Sequence, residues 1–260
     1  IAADVPLADG ETVADQQMEC NTLNTLSMIR RGQGRMSEAS AQSELALEVA
    51  RASGNRRMEG IVLANLGLLQ QDLGQADRAR ASYEAALTIH REVHHRRFEG
   101  NVQDNLGGLD FDQGRLESAQ AHLESALAIH REIGARFSEA IALTNLGFLA
   151  QARSRPDLAS ARFGEALAIT REVGDRRLEG RVTAALATLQ QERGDPETAR
   201  TLYASALAMH RAVEDRRSEG DTLAHLAGLL LRLGDLDTAR EALDTGEPLL
   251  RQVDAHLELG

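Results

Sequence analysis

The chain has 260 residues, carries a net charge of −11, and draws all 29 of its basic residues from arginine. That length supports a substantial core, while 3% aromatics, no tryptophan and abundant Ala and Leu argue against sheets and for close-packed helices. An acidic chain with interspersed Arg and Glu suits a polyanion poorly, and no apolar run approaches the length of a membrane span, so neither nucleic acid nor a membrane is an expected partner.

In chain order, residues 1–18 read as an N-terminal linker and the start of a first helix, with "IAADVPLADG" at 1–10 having linker composition. The chain begins at Ile and ends as a pattern restarts, which points to an excerpt from a longer protein. Cys20, the single cysteine, forbids an internal disulfide and suits a reducing compartment; a cytoplasmic location is expected. From residue 19 a period of 40 residues runs without insertion. "EGIVLANLGLLQQDLG" at 59 is echoed by "EGNVQDNLGGLDFDQG" at 99, "EAIALTNLGFLAQARS" at 139, "EGRVTAALATLQQERG" at 179 and "EGDTLAHLAGLLLRLG" at 219, with a weaker copy at 19. The units are 19–58, 59–98, 99–138, 139–178, 179–218 and 219–258.

Each unit holds two helical segments. The first, helix A, has apolar residues at helical spacing, as in Val62, Leu66, Leu69 and Leu73, and ends at a Gly or Ser at 34, 74, 114, 154, 194 and 234. The second, helix B, opens with a carboxylate such as Asp77 or Glu117, which suits the helix dipole, or with Pro156 or Pro196, which a first turn tolerates. Its face carries Ala79, Tyr83, Ala86 and His90, small enough in part for helix A to come close. In the last unit Gly246 and Pro248 fall inside helix B, where Pro costs about 3 kcal/mol and predicts a bend or break.

These residues resemble the tetratricopeptide repeats. The Leu-Gly, Ala, aromatic, Ala pattern is matched by Leu66, Gly67, Ala79, Tyr83 and Ala86, by Leu146, Gly147, Ala159, Phe163 and Ala166, and by Leu186, Ala187, Ala199, Tyr203 and Ala206. Departures are Leu63 or Leu143 where the family has Trp, no closing Pro, and the 40-residue unit, similar to that of spindle-orientation scaffolds and of arrays attached to bacterial kinases and regulators. The resemblance implies an all-α fold, a right-handed α-solenoid superhelix of six helical hairpins.

The stretch "HREVHHRRFEG" at 90–100 invites a metal reading. Yet His90 recurs as His130 and His210, with Ala50, Thr170 and Leu250 in the same column, and equivalent side chains of stacked units lie roughly 8 to 10 Å apart, too far to share an ion. A partly buried packing His90 and two exposed joint histidines are expected. Cys20 occupies a column of small residues with Gly60, Gly100, Ala140, Gly180 and Gly220. The neighbours Arg91-Glu92, Arg131-Glu132 and Arg171-Glu172 face apart on a helix and read as solvated. Asp104, Asp110 and Asp112 lack calcium-loop spacing and read as a charged face. No constellation rises to catalysis, so a non-enzymatic protein without cofactor or metal is expected.

Function in such an array is expected on helix A, which the resemblance places on the inner, concave wall. Positions 61, 64, 65, 68, 71 and 72 then face a groove that is apolar at Leu68, Phe111, Ile141 and Phe148, acidic at Asp72, Asp104 and Asp112, and basic at Arg181. Asn65, Asn105 and Asn145 form a column whose amides can pair with an extended backbone, or tie one helix A to the next; Ala185 and His225 end it. The expected partner is a protein or peptide with apolar and basic residues. Self-association through the terminal repeats is also open. A second reading is a regulatory or sensor segment of a larger signalling enzyme or transcription regulator, binding a signal peptide or its own effector domain.

Overall fold

Residues 13–258, which the computed structural model describes, form twelve α-helices, with no strand among them. The linker read at 1–10 lies outside the described residues. The A helices are α1 (Val13–Gly32), α3 (Arg56–Asp72), α5 (Arg96–Asp112), α7 (Arg136–Ala152), α9 (Arg176–Glu192) and α11 (Arg216–Leu233). The B helices are α2 (Met36–Ala52), α4 (Ala76–Glu92), α6 (Leu116–Glu132), α8 (Pro156–Val173), α10 (Pro196–Ala212) and α12 (Leu236–Glu258). Breaks fall where the backbone turns left-handed. Gly34, Gly74, Gly114, Ser154, Gly194 and Gly234 have φ between 54° and 80° after each helix A. Between units Gly54, Gly134 and Gly174 do the same, and His94 and Glu214 adopt φ 53° at the equivalent joints. Pro156 and Pro196 open α8 and α10 as expected.

The helices fall into two compact units, α1–α5 and α6–α12. Within each, helix A packs most extensively on helix B of its own hairpin, and helix B then packs on the next helix A. Successive A helices also touch, α1 to α3 to α5 in one unit and α7 to α9 to α11 in the other, whereas no pair of B helices packs to a comparable extent among the described residues. Such stacking of hairpins in one file is an α-solenoid.

Close approach inside a hairpin needs residues without bulk. A Cβ on Gly67 would lie 2.5 Å from the Tyr83 ring, and one on Gly147 would lie 2.4 Å from the Phe163 ring. At the other end of the first of these hairpins Gly60 faces the His90 ring, and in the α9–α10 hairpin Gly180 faces the His210 ring. Tyr83, Phe163, Tyr203, His90 and His210 are all fully buried as a result. Cys20, in the Gly60 column, is likewise buried, and its thiol donates to the Ala46 carbonyl at 3.4 Å.

Carboxylates stitch the joints. Glu139 is 5% exposed and accepts from Arg131 Nε at 2.9 Å and Arg136 Nη1 at 2.6 Å. The same clamp recurs at Glu59 with Arg51 and Arg56, at Glu99 with Arg91 and Arg96, and at Glu179 with Arg171 and Arg176. The expectation of freely solvated Arg91, Arg131 and Arg171 is thus corrected: each guanidinium is partly open to water but holds a buried carboxylate eight residues on. Of the bend or break expected at Pro248, the break does not occur: α12 runs through it as one helix. Gly246 there seats against Leu223 and the Gly220 carbonyl, so packing on α11 holds a segment whose local propensity is poor.

Two predictions follow from this packing. Gly67→Ala forces a methyl into the Tyr83 ring and should cost about 1–3 kcal/mol in denaturant unfolding, while Gly164→Ala on α8, with nothing within 4 Å of the added Cβ, should gain about 1 kcal/mol. Equal shifts for both would contradict the close-approach account. Burial, and next the neighbouring His95, push the His90 imidazole down to about 4. The unfolded chain, with a histidine near the usual 6.5, takes up the proton first as pH falls. Stability is therefore intact above about pH 6.5 and lost between there and about 4, by about 3 kcal/mol in all. His90→Leu should remove this share of the pH dependence in melts at pH 4 to 7; an unchanged profile would contradict it.

Candidate functional site

The histidine stretch resolves into packing. His90 is fully buried rather than partly so, and its ring stacks on Phe98 with centroids 5.3 Å apart and planes at 29°. His95, expected to be exposed, is half-buried, 4.6 Å from the Phe98 ring centroid and 5.6 Å from that of His90, and Arg57 reaches its Nε2 at 3.0 Å. His94 sits outside in the left-handed joint. Among the described residues no three His, Cys, Asp or Glu side chains gather around a point where an ion could sit. The carboxylates of α5 also separate. Asp110 is fully buried between Arg80 and Arg115, Asp104 is 9% exposed, and Asp112 is exposed.

The wall of A helices carries its own ladder of links, each joining a residue to the one 41 positions on. Asn65 Nδ2 donates to Asn24 Oδ1 at 2.8 Å, and Gln71 Nε2 donates to Asp112 Oδ2 at 2.9 Å. Arg31 holds Asp72 through Nε at 2.6 Å and Nη2 at 3.3 Å, and Gln151 donates to Glu192 at 2.7 Å. Of the residues read as an acidic stripe, Asp72 and Asp112 are therefore engaged with neighbouring helices, and Asp104 stands behind the open wall. Asn65 plays the helix-tying role that its column allowed. Asn105 and Asn145 occupy the same position, half-buried. Leu68, Phe111, Ile141 and Phe148 are half-buried too, so α3, α5 and α7 keep large apolar groups partly open, and Arg181 is exposed.

In the second unit a pocket of about 160 Å³ opens between α7, α9 and α11. Phe148 and Arg181, both singled out from the sequence, line it, together with Ala184, Ala185, Thr188, His210, Ser218, Asp221, Thr222 and His225. Sequence reasoning took Ala185 and His225 only as the end of the Asn column. The signal for a pocket was partial: an Asn shrinks to Ala at 185, and the column of Met58, Phe98 and Leu178 shrinks to Ser at 218, as it also does at 138. Likewise the fixed offsets of Arg131 and Arg136 from Glu139, repeated at 51, 91 and 171, carried the joint clamp that neighbour-by-neighbour reading passed over.

Comparison with known proteins agrees with this architecture. The tetratricopeptide repeat family matches residues 18–92, 59–132, 98–172, 138–212 and 180–252. No curated protein sequence matches the chain. Among solved structures, the apo form of RapI is 14% identical, with 95% of this chain and 87% of that chain covered and a TM-score of 0.76. The Rap conjugation gene regulator of the plasmid pLS20, solved in complex with the Phr* peptide, is 15% identical, with 96% and 66% covered and a TM-score of 0.75. The signal transduction ATPase PH0952 from Pyrococcus horikoshii, which has a tetratricopeptide repeat sensor, is 15% identical, with 91% and 36% covered and a TM-score of 0.68. At these identities the likeness is one of fold. Matched from residue 18 to residue 252, the chain belongs to the tetratricopeptide repeat family.

Proposed function

We propose that the chain is a non-enzymatic, cytoplasmic interaction module that binds a segment of another polypeptide on the inner faces of its A helices. One observation carries this reading: Leu68, Phe111, Ile141 and Phe148 stay half-open on the A side of their units, where packing alone would have closed them. Large apolar groups left partly in water mark a surface that gains by being covered. The peptide held by the structurally similar Rap regulator gives a precedent for the class of ligand.

The chemistry of the partner follows from what the wall leaves available. Apolar side chains are the principal anchors, because Asp72 and Asp112 already face cations or amides of the neighbouring helix. A net charge of −11 still favours a partner with basic residues. Asn105 and Asn145 supply amides for the backbone of an extended segment, each acting as donor and acceptor. The likeness to a tetratricopeptide repeat sensor supports a second reading, in which the array is the sensing segment of a larger signalling protein.

Asn105→Ala and Phe148→Ala, one in each unit, should together reduce affinity capture of the bound partner from native lysate by about tenfold or more. Both substitutions should leave the helical signal intact. Undiminished capture by the double variant would reject the inner faces as the binding surface.

A further inference from the structure

Helix α1 has an open face that α3 buries. Met18, Leu26 and Ile29 stand in the columns of Met58, Leu66 and Leu69. Their exposures are 68%, 36% and 49%, against 8%, 8% and 1% for those counterparts. Each of the two helices packs on its own helix B and on a following helix A, α2 and α3 for one, α4 and α5 for the other. What α3 has in addition is a preceding hairpin, whose helix B, α2, packs on it more extensively than its helix A does. The open face of α1 is therefore shaped as the seat of a helix B.

The seat also lacks its cation. Glu59 is buried between Arg51, in the last turn of α2, and Arg56 of its own helix. Glu19, one period earlier, is exposed, and no ion pair engages it among the described residues. Gln16 stands in the Arg56 column and Glu11 in the Arg51 column, so the local sequence supplies neither arginine. Every other helix B that precedes a helix A carries that cation, as Arg91, Arg131, Arg171 and Arg211, and each holds the carboxylate eight residues on. Helix α12, by contrast, is made polar in place of apolar: Glu247, paired with Arg251, stands where α2, α4, α6 and α10 have Leu47, Leu87, Leu127 and Leu207. Helix α1 makes one such change, Thr22 for Val62, and keeps its large apolar groups. Terminal repeats ordinarily turn a polar face outward, and a retained apolar face gains by being covered.

We infer that this face of α1 docks an amphipathic helix of a partner polypeptide, seated as α2 is seated on α3, with an arginine of its last turn held by Glu19. The surface is separate from the inner faces proposed above to bind an extended segment. The chemistry of the occupant follows from the helix it stands in for. One side carries small and leucine residues, as α2 buries Ala39, Ala46, Leu47 and Ala50, and covers Met18, Leu26 and Ile29. The arginine then supplies to Glu19 the charge-assisted contact that Arg51 supplies to Glu59.

The test uses the whole chain and a fluorescent synthetic peptide of residues 36–55, the α2 sequence, as the probe. The peptide is stapled across positions 44 and 48, both exposed in the native packing, because an isolated helix of this length is marginal in water. Its anisotropy should rise saturably with added chain. Leu26→Glu, at an exposed position, should weaken binding about tenfold or more, and Ile29→Glu serves the same purpose if the first variant folds poorly. Glu19→Arg should cost roughly two- to fivefold, and an Arg51→Glu peptide should recover that loss on the Glu19→Arg chain. No saturable rise, affinity indifferent to both apolar variants, or no recovery on exchanging the charges would each overturn the inference. Light scattering of the chain alone checks the competing occupant. A dimer that Leu26→Glu dissociates would place a second copy on this face and overturn the inference as well.

Discussion

Close approach between the two helices of each hairpin is the constraint on which the rest of this molecule depends. A glycine faces an aromatic ring at Gly67 and Tyr83 and at Gly147 and Phe163, so the ring of helix B enters the backbone of helix A and is fully buried. Ala187 opposite Tyr203 keeps the same economy of bulk, and both are fully buried. With the interior of the hairpin closed by such contacts, helix A has one further face to pack on its neighbours and one left toward the open side. The proposed binding surface is the remainder of the packing problem.

The joints solve a second problem, how to add a hairpin without losing register. A left-handed residue at positions such as Gly54, His94, Gly134 and Gly174 turns the chain sharply. The carboxylate that follows at the start of helix A then binds one arginine from the preceding helix B and one from its own first turn. Charge-assisted, two-sided contacts of this kind add geometric specificity to each joint. They also explain why a chain without lysine is so rich in arginine: the guanidinium offers a planar set of donors that a lysine ammonium lacks.

Much of the fold was legible in the residues because the 40-residue period multiplies every weak local signal. Helix ends at Gly34, Gly74 and Gly194, the first-turn prolines of α8 and α10, and the packing role of the His90 column could all be read from it. Side-chain partners were less legible. Asp72 and Asp112 look like free groove acids in one dimension, yet Arg31 and Gln71, each 41 residues earlier, meet them across adjacent A helices. Asp104 looks exposed by helical phase but is buried. Pro248 argues for a break on local propensity, and tertiary packing on α11 overrides it. The pocket between α7, α9 and α11 was harder still, since it arises where positions 185 and 218 lack bulk.

On the proposed reading a partner covers the inner A-helix faces and leaves the B side in water. Hydroxyl-radical footprinting of the captured complex measures this directly. Phe111 and Phe148 should lose reactivity on binding, while Leu158 on α8 and Leu243 on α12, exposed at 41% and 44%, should keep theirs. Protection of Leu158 and Leu243 with Phe111 and Phe148 unchanged would contradict the account.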